Sequence, residues 1–145
     1  AGFSLTAGPN CLAPGKKPFH TLNPAMAIMN DGRIVAYGTM GGEGQPQTQA
    51  AIFSRYAFHG VDLQRAISAP RWLLGKTWGD DTTSLKLEKS FGEKLIKELR
   101  EANHKVELVP ENSSLMGHAG CVVKHSDGSV EAASDPRSDG IALAG

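Results

Sequence analysis

The sequence lacks an excess of charge of either sign and lacks any long apolar run. Its 15 lysine and arginine residues balance its 15 aspartate and glutamate residues. An even balance gives no reason to expect a nucleic acid or an anionic membrane as partner. No apolar run approaches the ~20 residues that a membrane-spanning helix needs, and no basic and then apolar segment opens the chain as a signal peptide would. The sequence therefore predicts a soluble protein that binds neither nucleic acid nor membrane.

Motifs for metals, redox chemistry and phosphates are missing as well. Cys11 and Cys121 stand in no metal-binding or redox spacing, and the five histidines form no H-x-x-x-H pair. The two cysteines are therefore expected to be small buried residues or free thiols. The P-loop spacing G-x-x-x-x-G-K-[ST] and the dinucleotide spacing G-x-G-x-x-G are also absent. We expect neither a metal ion nor a cofactor.

The chain does contain enough apolar material for one core. Hydrophobic residues make up 40% of its 145 positions, and its 17 glycines indicate many turns, so one folded domain is expected. Residues 1–23 mix glycine, proline and small polar residues and predict an irregular segment. Residues 24–145 predict layers of strands and helices. Because the chain does not start with methionine, residues 1–23 are also compatible with the end of a structural unit that begins earlier in a longer polypeptide.

Strands are predicted in hairpins and helices in consecutive pairs, which is typical of an α+β fold. The predicted strands are residues 25–29 and 33–37 around an Asn-Asp-Gly turn, 85–88, 105–109, and 118–124 paired with 129–133. The predicted helices are residues 46–59, a short helix capped by Asp62 and ended by Pro70, and a helix opened by a capping box of Ser90 and Glu93.

Three details of these elements decide how the chain packs. The apolar residues 34–36 predict a central strand covered on both faces. Alternation with Leu85 and Leu87 predicts that Lys86 and Glu88 face water. Residues 72–83 predict a turn-rich connection without a strand.

One stretch, residues 38–49, combines a strand end, four glycines and a helix start. It is G-T-M-G-G-E-G-Q-P-Q-T-Q, with Pro46 suited to the first helical turn. Glycines let a ligand approach backbone N–H groups, and the positive end of the helix dipole adds to them. A phosphate site is disfavoured, because no lysine stands in this stretch at the spacing of a P-loop. An oxyanion hole for acyl transfer and a tight turn without any ligand both remain compatible with the spacing.

Four stretches together resemble one protein family. They are P-G-K-K-P-F-H-T-L-N-P (residues 14–24), residues 38–48, V-D-L-Q-R-A-I-S-A-P-R (61–71) and A-S-D-P-R-S-D-G (133–140). In this order they resemble the C-terminal part of the small subunit of γ-glutamyltransferases, which are N-terminal-nucleophile hydrolases. The resemblance implies a four-layer αββα sandwich, of which this chain is the C-terminal part.

The family resemblance implies amide cleavage by an N-terminal threonine that autocleavage frees. The first residue here is Ala1, so the resemblance places that threonine upstream of this chain. The implied partners are the large subunit and the N-terminal part of the small subunit of the same precursor, with a small-molecule amide as substrate. The chain alone is expected to be inactive. Outside the enzyme class, an inactive fragment or pseudoenzyme that needs a partner chain is the alternative.

The resemblance also implies site residues. Gly41 and Gly42 match the glycine pair whose backbone N–H groups form the oxyanion hole, and His20 and Thr21 match two serines that bind the α-carboxylate of the γ-glutamyl group. Glu43 either contacts substrate or complements the helix dipole.

The form G-E-G-Q-P-Q-T-Q is similar to the branch that includes oxamate amidohydrolase and acylase-like members, so γ-glutamyl transfer or hydrolysis and small-amide hydrolysis both stay open. This branch favours the cytoplasm over the periplasm. Asp135 and Arg137 are expected to form a structural ion pair.

Overall fold

The chain folds into two β-sheets and three α-helices within residues 2–75 and 82–143, which its computed structural model describes. The strands are β1 (Ala25–Ile28), β2 (Ile34–Thr39), β3 (Trp72–Leu74), β4 (Leu85–Glu88), β5 (Val106–Val109), β6 (Ala119–Lys124) and β7 (Val130–Ser134). The helices are α1 (Gln45–Ala57), α2 (Leu63–Ser68) and α3 (Glu93–Glu101), with 3-10 turns at Gly42–Gly44, Lys89–Phe91 and Ser114–Met116.

The larger sheet is antiparallel, in the order β1-β2-β6-β7. Both predicted hairpins are confirmed. In the first, the Gly32 N–H donates to the Met29 carbonyl at 3.0 Å, and the Asp31 carboxylate accepts from the Arg33 N–H at 3.1 Å. β2 is central, as predicted, because β6 pairs along its other edge from Ile34 to Thr39.

One face of this sheet is covered and the other is open. Helices α1 and α2 pack on the covered face around a core of apolar side chains (Val35, Ile52, Tyr56, Leu63, Ala66, Ile67, Ala119, Cys121, Val123 and Ala133). Burial raises the pKa of the Cys121 thiol to about 11, so this thiol stays protonated at neutral pH. Both cysteines are free, as predicted.

The prediction that β2 is covered on both faces was wrong for this chain. Val35 is 1% exposed, whereas Ile34 is 38% exposed and Ala36 is also exposed. The reason is that successive strand residues point to opposite faces, and α1 and α2 both lie on one of them. Apolar residues continue across the open face to Val122 of the neighbouring strand.

The smaller sheet has the order β3-β4-β5, with β4 antiparallel to β3 and parallel to β5. The prediction of a connection without a strand over residues 72–83 was wrong at β3, whose residues Trp72 to Leu74 pair with β4. The part of that connection at residues 76–81 lies outside the described residues.

Lys86 and Glu88 of β4 are 1% and 0% exposed, so the prediction that they face water was wrong. Polar partners explain their burial. The Lys86 Nζ donates to the Gly75 carbonyl at 2.9 Å and to the Thr82 hydroxyl at 2.7 Å. Glu88 binds arginines from other parts of the chain, as described below.

The two predicted helix starts had different outcomes. Asp62 caps α2 as expected, because its carboxylate accepts from the Arg65 N–H at 2.9 Å. The capping box of Ser90 and Glu93 was wrong. Ser90 lies inside the 3-10 turn Lys89–Phe91, and Gly92, with a φ of 84°, takes the N-cap position of α3 without a side-chain cap.

Gly117 fits between the end of β2 and the start of β6 with no spare room. Its φ is +81°, and a β-carbon there would overlap the Met40 carbonyl oxygen and lie 2.6 Å from the Thr39 hydroxyl oxygen. Both the backbone conformation and the close approach therefore require glycine.

We predict that Gly117→Ala lowers the free energy of unfolding by more than about 1 kcal/mol, since the new methyl must displace backbone and the residue must hold a left-handed conformation. Thermal unfolding of the complete protein measures the change. Gly8→Ala is the matched control, because a β-carbon at Gly8 meets no atom within 4 Å. A Gly117→Ala variant that melts together with this control would contradict the prediction.

Candidate active site

The glycine-rich stretch forms a tight turn between β2 and α1. After Thr39 ends β2, Gly41 has a φ of 141° and Gly42 a φ of 54°, both in the region that side chains disfavour. Residues Gly42–Gly44 make one 3-10 turn that runs directly into α1, with Pro46 in its first turn. The strand, glycine turn and helix start that the sequence predicted are therefore present.

Close packing also fixes this turn. The Gly44 N–H donates to the Gly41 carbonyl at 2.9 Å. A β-carbon on Gly44 would lie 2.7 Å from Leu73 Cδ1 of β3, and one on Gly41 would lie 3.4 Å from the Gly117 α-carbon. The turn therefore packs tightly against Leu73 of the smaller sheet on one side and against Gly117, just before β6 of the larger sheet, on the other.

Backbone donors lie at the mouth of this turn. Gly42 is the first residue of the 3-10 turn, and the first N–H groups of a helical segment have no acceptor within it. Gly42 is partly exposed and Gly41 is buried. The positive end of the α1 dipole lies just beyond, so negative charge at this point is stabilised.

An extended segment of the N-terminal region lies across the start of α1. The Gln45 side-chain amide donates to the Thr21 carbonyl at 3.0 Å, and the Gln49 amide donates to the Asn23 carbonyl. Two glutamines on one helix face thereby hold residues 21–23 beside the glycine turn. This tether was not predicted, because a glutamine near a helix start does not show in the sequence which distant carbonyl it binds.

A cleft of about 470 Å³ opens between this segment and the turn. Its lining consists of Phe19, His20, Thr21, Leu22, Asn23, Gly42, Glu43, Gln45 and Pro46. Four of the five predicted site residues therefore meet in one cleft. The fifth, Gly41, is buried one residue behind it. Their proximity is an observation, and their roles remain predictions.

A buried ion network lies behind the turn. Arg71 and Asp135 pair at 2.6 Å, Arg137 pairs with the other Asp135 oxygen at 3.1 Å, and Arg137 also pairs with Glu88 at 2.5 Å. All four side chains are at most 1% exposed. The predicted ion pair of Asp135 and Arg137 is confirmed. Arg71 and Glu88 were missed, because a single charge in an apolar stretch does not show in the sequence which residue it pairs with.

Protonation follows from these contacts. Burial lowers the pKa of Arg71 to about 10, with Asp135 opposing that effect. Burial also acts to lower the pKa of Arg137, but the hydrogen bonds that Arg137 donates to Glu88 and Asp135, together with their negative charges, outweigh it and the pKa is raised. Both guanidinium groups are therefore charged at neutral pH, which suits two carboxylate partners.

The network supports the chain behind the turn. The Arg71 guanidinium donates to the carbonyls of Met116 and Gly117, each at 3.2 Å, and the Thr48 hydroxyl of α1 donates to the Met116 carbonyl at 3.1 Å. Gly117 is the residue on which Gly41 packs. The buried charges thus fix the position of the turn from behind.

We predict that Glu88→Ala destabilises the protein by about 3–5 kcal/mol, because it leaves the Arg137 charge buried with only part of its counter-charge. Glu98→Ala is the control, since Glu98 forms an exposed pair with Lys94 at 3.9 Å on α3. Exposed pairs of this kind contribute about 0.5 kcal/mol or less. Thermal unfolding compares the two variants, and equal melting temperatures would contradict the structural role of the network.

The described residues offer no other obvious site class. Within residues 2–75 and 82–143, no three His, Cys, Asp or Glu side chains lie close enough together to hold a metal ion. In the same ranges no helix has the length and apolar character to cross a membrane.

Comparisons with known proteins give consistent results. A family model described as gamma-glutamyltranspeptidase matches residues 2–145. The chain is 60% identical over 131 residues to the oxamate amidohydrolase proenzyme of Klebsiella pneumoniae, covering 90% of this chain and 25% of that protein. It is 44% identical over 134 residues to the glutathione hydrolase-like YwrD proenzyme of Bacillus subtilis, covering 92% of this chain and 26% of that protein.

A solved structure shows the same fold. The gamma-glutamyltranspeptidase of Pseudomonas nitroreducens, solved in complex with L-DON, superposes with a TM-score of 0.74 at 18% identity, covering 96% of this chain and 69% of that one. By length, this chain spans about a quarter of the two curated relatives described above, 25% of one and 26% of the other.

Proposed function

Because this chain belongs to the gamma-glutamyltranspeptidase family, we propose that it supplies the oxyanion-stabilising part of an amide-cleaving hydrolase. The predicted family and the α+β fold class are both confirmed. The identity to the oxamate amidohydrolase and YwrD proenzymes also agrees with the predicted branch. The activity of the complete protein is the proposal, and the cleft at the glycine turn is the observation that supports it most directly.

The proposed chemistry needs fixed donors where negative charge develops. When a nucleophile adds to an amide carbonyl, the carbonyl oxygen becomes an oxyanion, and rigid N–H groups stabilise it without reorganisation. The Gly42 N–H at the start of the 3-10 turn is the first donor, with Gly41 as the second. Packing against Leu73 and Gly117 keeps the turn in place. The α1 dipole adds stabilisation in the same direction.

The nucleophile would come from the rest of the precursor. An N-terminal threonine hydroxyl adds to the amide carbonyl carbon while its proton passes to its own α-amine. Collapse of the intermediate breaks the carbon–nitrogen bond, and the departing nitrogen takes that proton. Water then cleaves the ester, which releases the acid and restores the threonine.

We propose that the substrate carries a small acyl group. By the family resemblance, His20 and Thr21 match the two serines through which transferases bind the glutamyl α-carboxylate. An imidazole is bulkier than a hydroxyl and differs from it in its donor and acceptor pattern. The relative with 60% identity is named for oxamate, a two-carbon amide with its own carboxylate. We propose hydrolysis of oxamate or a similar small amide, with γ-glutamyl compounds as the second substrate class.

The role of Glu43 follows from its place. It is exposed in the first turn of the 3-10 segment and lines the cleft. A carboxylate there complements the helix dipole and disfavours a second negative charge beside it. We propose that Glu43 limits where the substrate carboxylate can bind, which leaves the His20 side of the cleft for it.

The partner is proposed from the open face of the larger sheet. Large apolar side chains stay exposed there, including Ile28 at 79%, Ile34 at 38% and Val122 at 47%. A sheet face with this many exposed apolar side chains is typical of a surface that another layer covers. We propose that the remaining part of the precursor packs on this face and thereby brings its threonine to the turn.

The substrate is tested on the complete, autocleaved protein. Ammonia release from oxamate is compared with nitroaniline release from γ-glutamyl-p-nitroanilide, and we expect the higher kcat/KM for oxamate. His20→Ser should shift this ratio toward the γ-glutamyl compound. A wild-type enzyme that prefers the γ-glutamyl compound would contradict the small-amide proposal. A protein inactive toward both compounds would support the alternative that it is a pseudoenzyme.

Loss of the Gly42 donor tests the oxyanion role. We expect an ester in place of the Gly42 amide, made by incorporating glycolic acid at position 42, to lower kcat by about 10²–10³-fold, the usual loss when one oxyanion donor is removed. The ester lacks the N–H but can still adopt the φ of 54°, whereas proline would force φ to about −65°. Gly42→Ala is the control for backbone strain, because it keeps the N–H while introducing a side chain at that φ. An ester variant with the kcat of the wild type would contradict the donor role.

The partner surface is tested by placing one charge on it. Val122→Asp in the complete precursor should block assembly and autocleavage, because the carboxylate would be buried without a partner. Leu5→Asp is the control, since Leu5 is 89% exposed in the N-terminal segment. Size-exclusion chromatography with intact mass measures both, and normal cleavage of the Val122→Asp precursor would rule out this surface.

A further inference from the structure

One wall of the cleft is joined to the rest of the chain by very few contacts. This wall belongs to the segment of residues 17–24, which forms neither helix nor strand and whose residues are all exposed. Phe19 and Leu22 are each 71% exposed, so apolar packing contributes little to holding the segment in place. The position of the segment therefore depends on its polar contacts.

Two hydrogen bonds from α1 reach this segment. The Gln45 Nε2 donates to the Thr21 carbonyl at 3.0 Å. The Gln49 Nε2 donates to the Asn23 carbonyl. Residues 17–24 are all described by the structure, and they form no other hydrogen bond. Both glutamines are buried, at 9% and 7% exposed, so their side chains have little freedom to turn away from the segment.

The spacing of the two glutamines matches the spacing of the two carbonyls. Helix positions i and i+4 lie on one face and are about 6 Å apart along the axis. Carbonyls i and i+2 of an extended chain point the same way and are about 6.6 Å apart. Gln45 and Gln49 have the first spacing, and Thr21 and Asn23 have the second. The helix therefore sets both the direction and the distance of the segment beside it.

The tethered segment carries the side chains that the proposed function assigns to the substrate carboxylate. His20 and Thr21 line the cleft on this side, and Gly42 and Glu43 line it on the side of the turn. Gln45 directly follows the glycine turn, so one residue joins the two walls. Its bond to the segment thus sets how far the carboxylate-binding side chains lie from the proposed oxyanion donors.

We infer that Gln45 and Gln49 are positioning residues of the amide-cleaving site. They hold the segment at the distance from the glycine turn at which His20 and Thr21 bind the carboxylate of a small amide substrate. This inference rests on the proposed function. The two glutamines act through the segment. Without their bonds the segment would be free, and the entropy lost in ordering it again would oppose substrate binding.

Gln47 provides a matched control on the same helix. Its amide donates to the Leu74 carbonyl at 3.0 Å and accepts from the Leu74 N–H at 2.8 Å. It therefore ties α1 to β3 of the smaller sheet, and it is not among the residues that line the cleft. Loss of this amide removes two hydrogen bonds from α1, as loss of the Gln45 and Gln49 amides does, but leaves the segment attached.

The kinetic test compares the complete, autocleaved wild type with the double variant Gln45→Met/Gln49→Met and with Gln47→Met. Methionine is about as long as glutamine and lacks the amide. For the double variant we expect the KM for oxamate to rise about fivefold or more, because each lost hydrogen bond shifts such an equilibrium by about two- to tenfold. We expect kcat to change less than about twofold, since the bonds act on substrate binding. Gln47→Met should keep the wild-type KM.

Proteolysis gives a second readout that needs no activity. Chymotrypsin cuts after exposed phenylalanine and leucine, and intact mass identifies cuts after Phe19 and Leu22. Cleavage of a segment that opens transiently follows the population of the open form. We therefore expect these cuts to be about fivefold or more faster in the double variant, and unchanged in Gln47→Met. Autocleavage of all three precursors should be normal, because the segment positions the substrate and not the nucleophile.

A double variant with the wild-type KM, or one that chymotrypsin cuts no faster than Gln47→Met, would overturn the inference. A double variant that no longer autocleaves would also overturn it, because the glutamines would then act on the turn itself. A wild type that hydrolyses neither oxamate nor γ-glutamyl-p-nitroanilide would refute the proposed function. The chymotrypsin cleavage rates would still decide whether the two glutamines hold the segment.

Discussion

Charge buried between the two sheets fixes the geometry on which the rest of this structure depends. Glu88 comes from the smaller sheet, Asp135 follows the last strand of the larger one, and Arg137 binds both carboxylates. Arg71 completes the group from the connection between α2 and β3. Two positive and two negative groups compensate one another, so ions that would each be costly to bury alone become a rigid joint between the sheets.

The joint extends to the glycine turn through backbone contacts. Arg71 holds the carbonyls of Met116 and Gly117, and Gly117 packs directly against Met40 and Gly41. Glu88 also accepts from the Ser113 N–H at 3.1 Å, at the start of the same loop. Oxyanion donors are useful only when they need not move during the reaction. The ion network, at most 1% exposed, gives the turn the rigidity that the proposed oxyanion role requires.

Local chemistry allowed much of the fold to be predicted. The Asn-Asp-Gly turn identified the first hairpin, Asp62 identified the start of α2, and the glycine-rich stretch identified the turn at the cleft. These signals work because the residues that cause the structure are neighbours in the chain.

Features set by distant residues could not be predicted. Lys86 and Glu88 alternate with leucines as surface residues do. Arg137, 49 residues further along the chain, explains the burial of Glu88. The Gly75 carbonyl and the Thr82 hydroxyl explain the burial of Lys86.

The open face of β2 was also missed, because an apolar strand predicts burial without showing what covers it. The same limit applies to the site. Its residues were found by family resemblance, whereas the tether from Gln45 and Gln49 became visible only in three dimensions.

The central claim is that the glycine turn stabilises the oxyanion of an amide substrate. The most direct measurement is a crystal structure of the complete, cleaved protein with an acyl group trapped on its nucleophile. We predict that the acyl oxygen lies about 2.7–3.1 Å from the backbone nitrogens of Gly41 and Gly42. An acyl oxygen that points away from this turn and binds other donors would contradict the account.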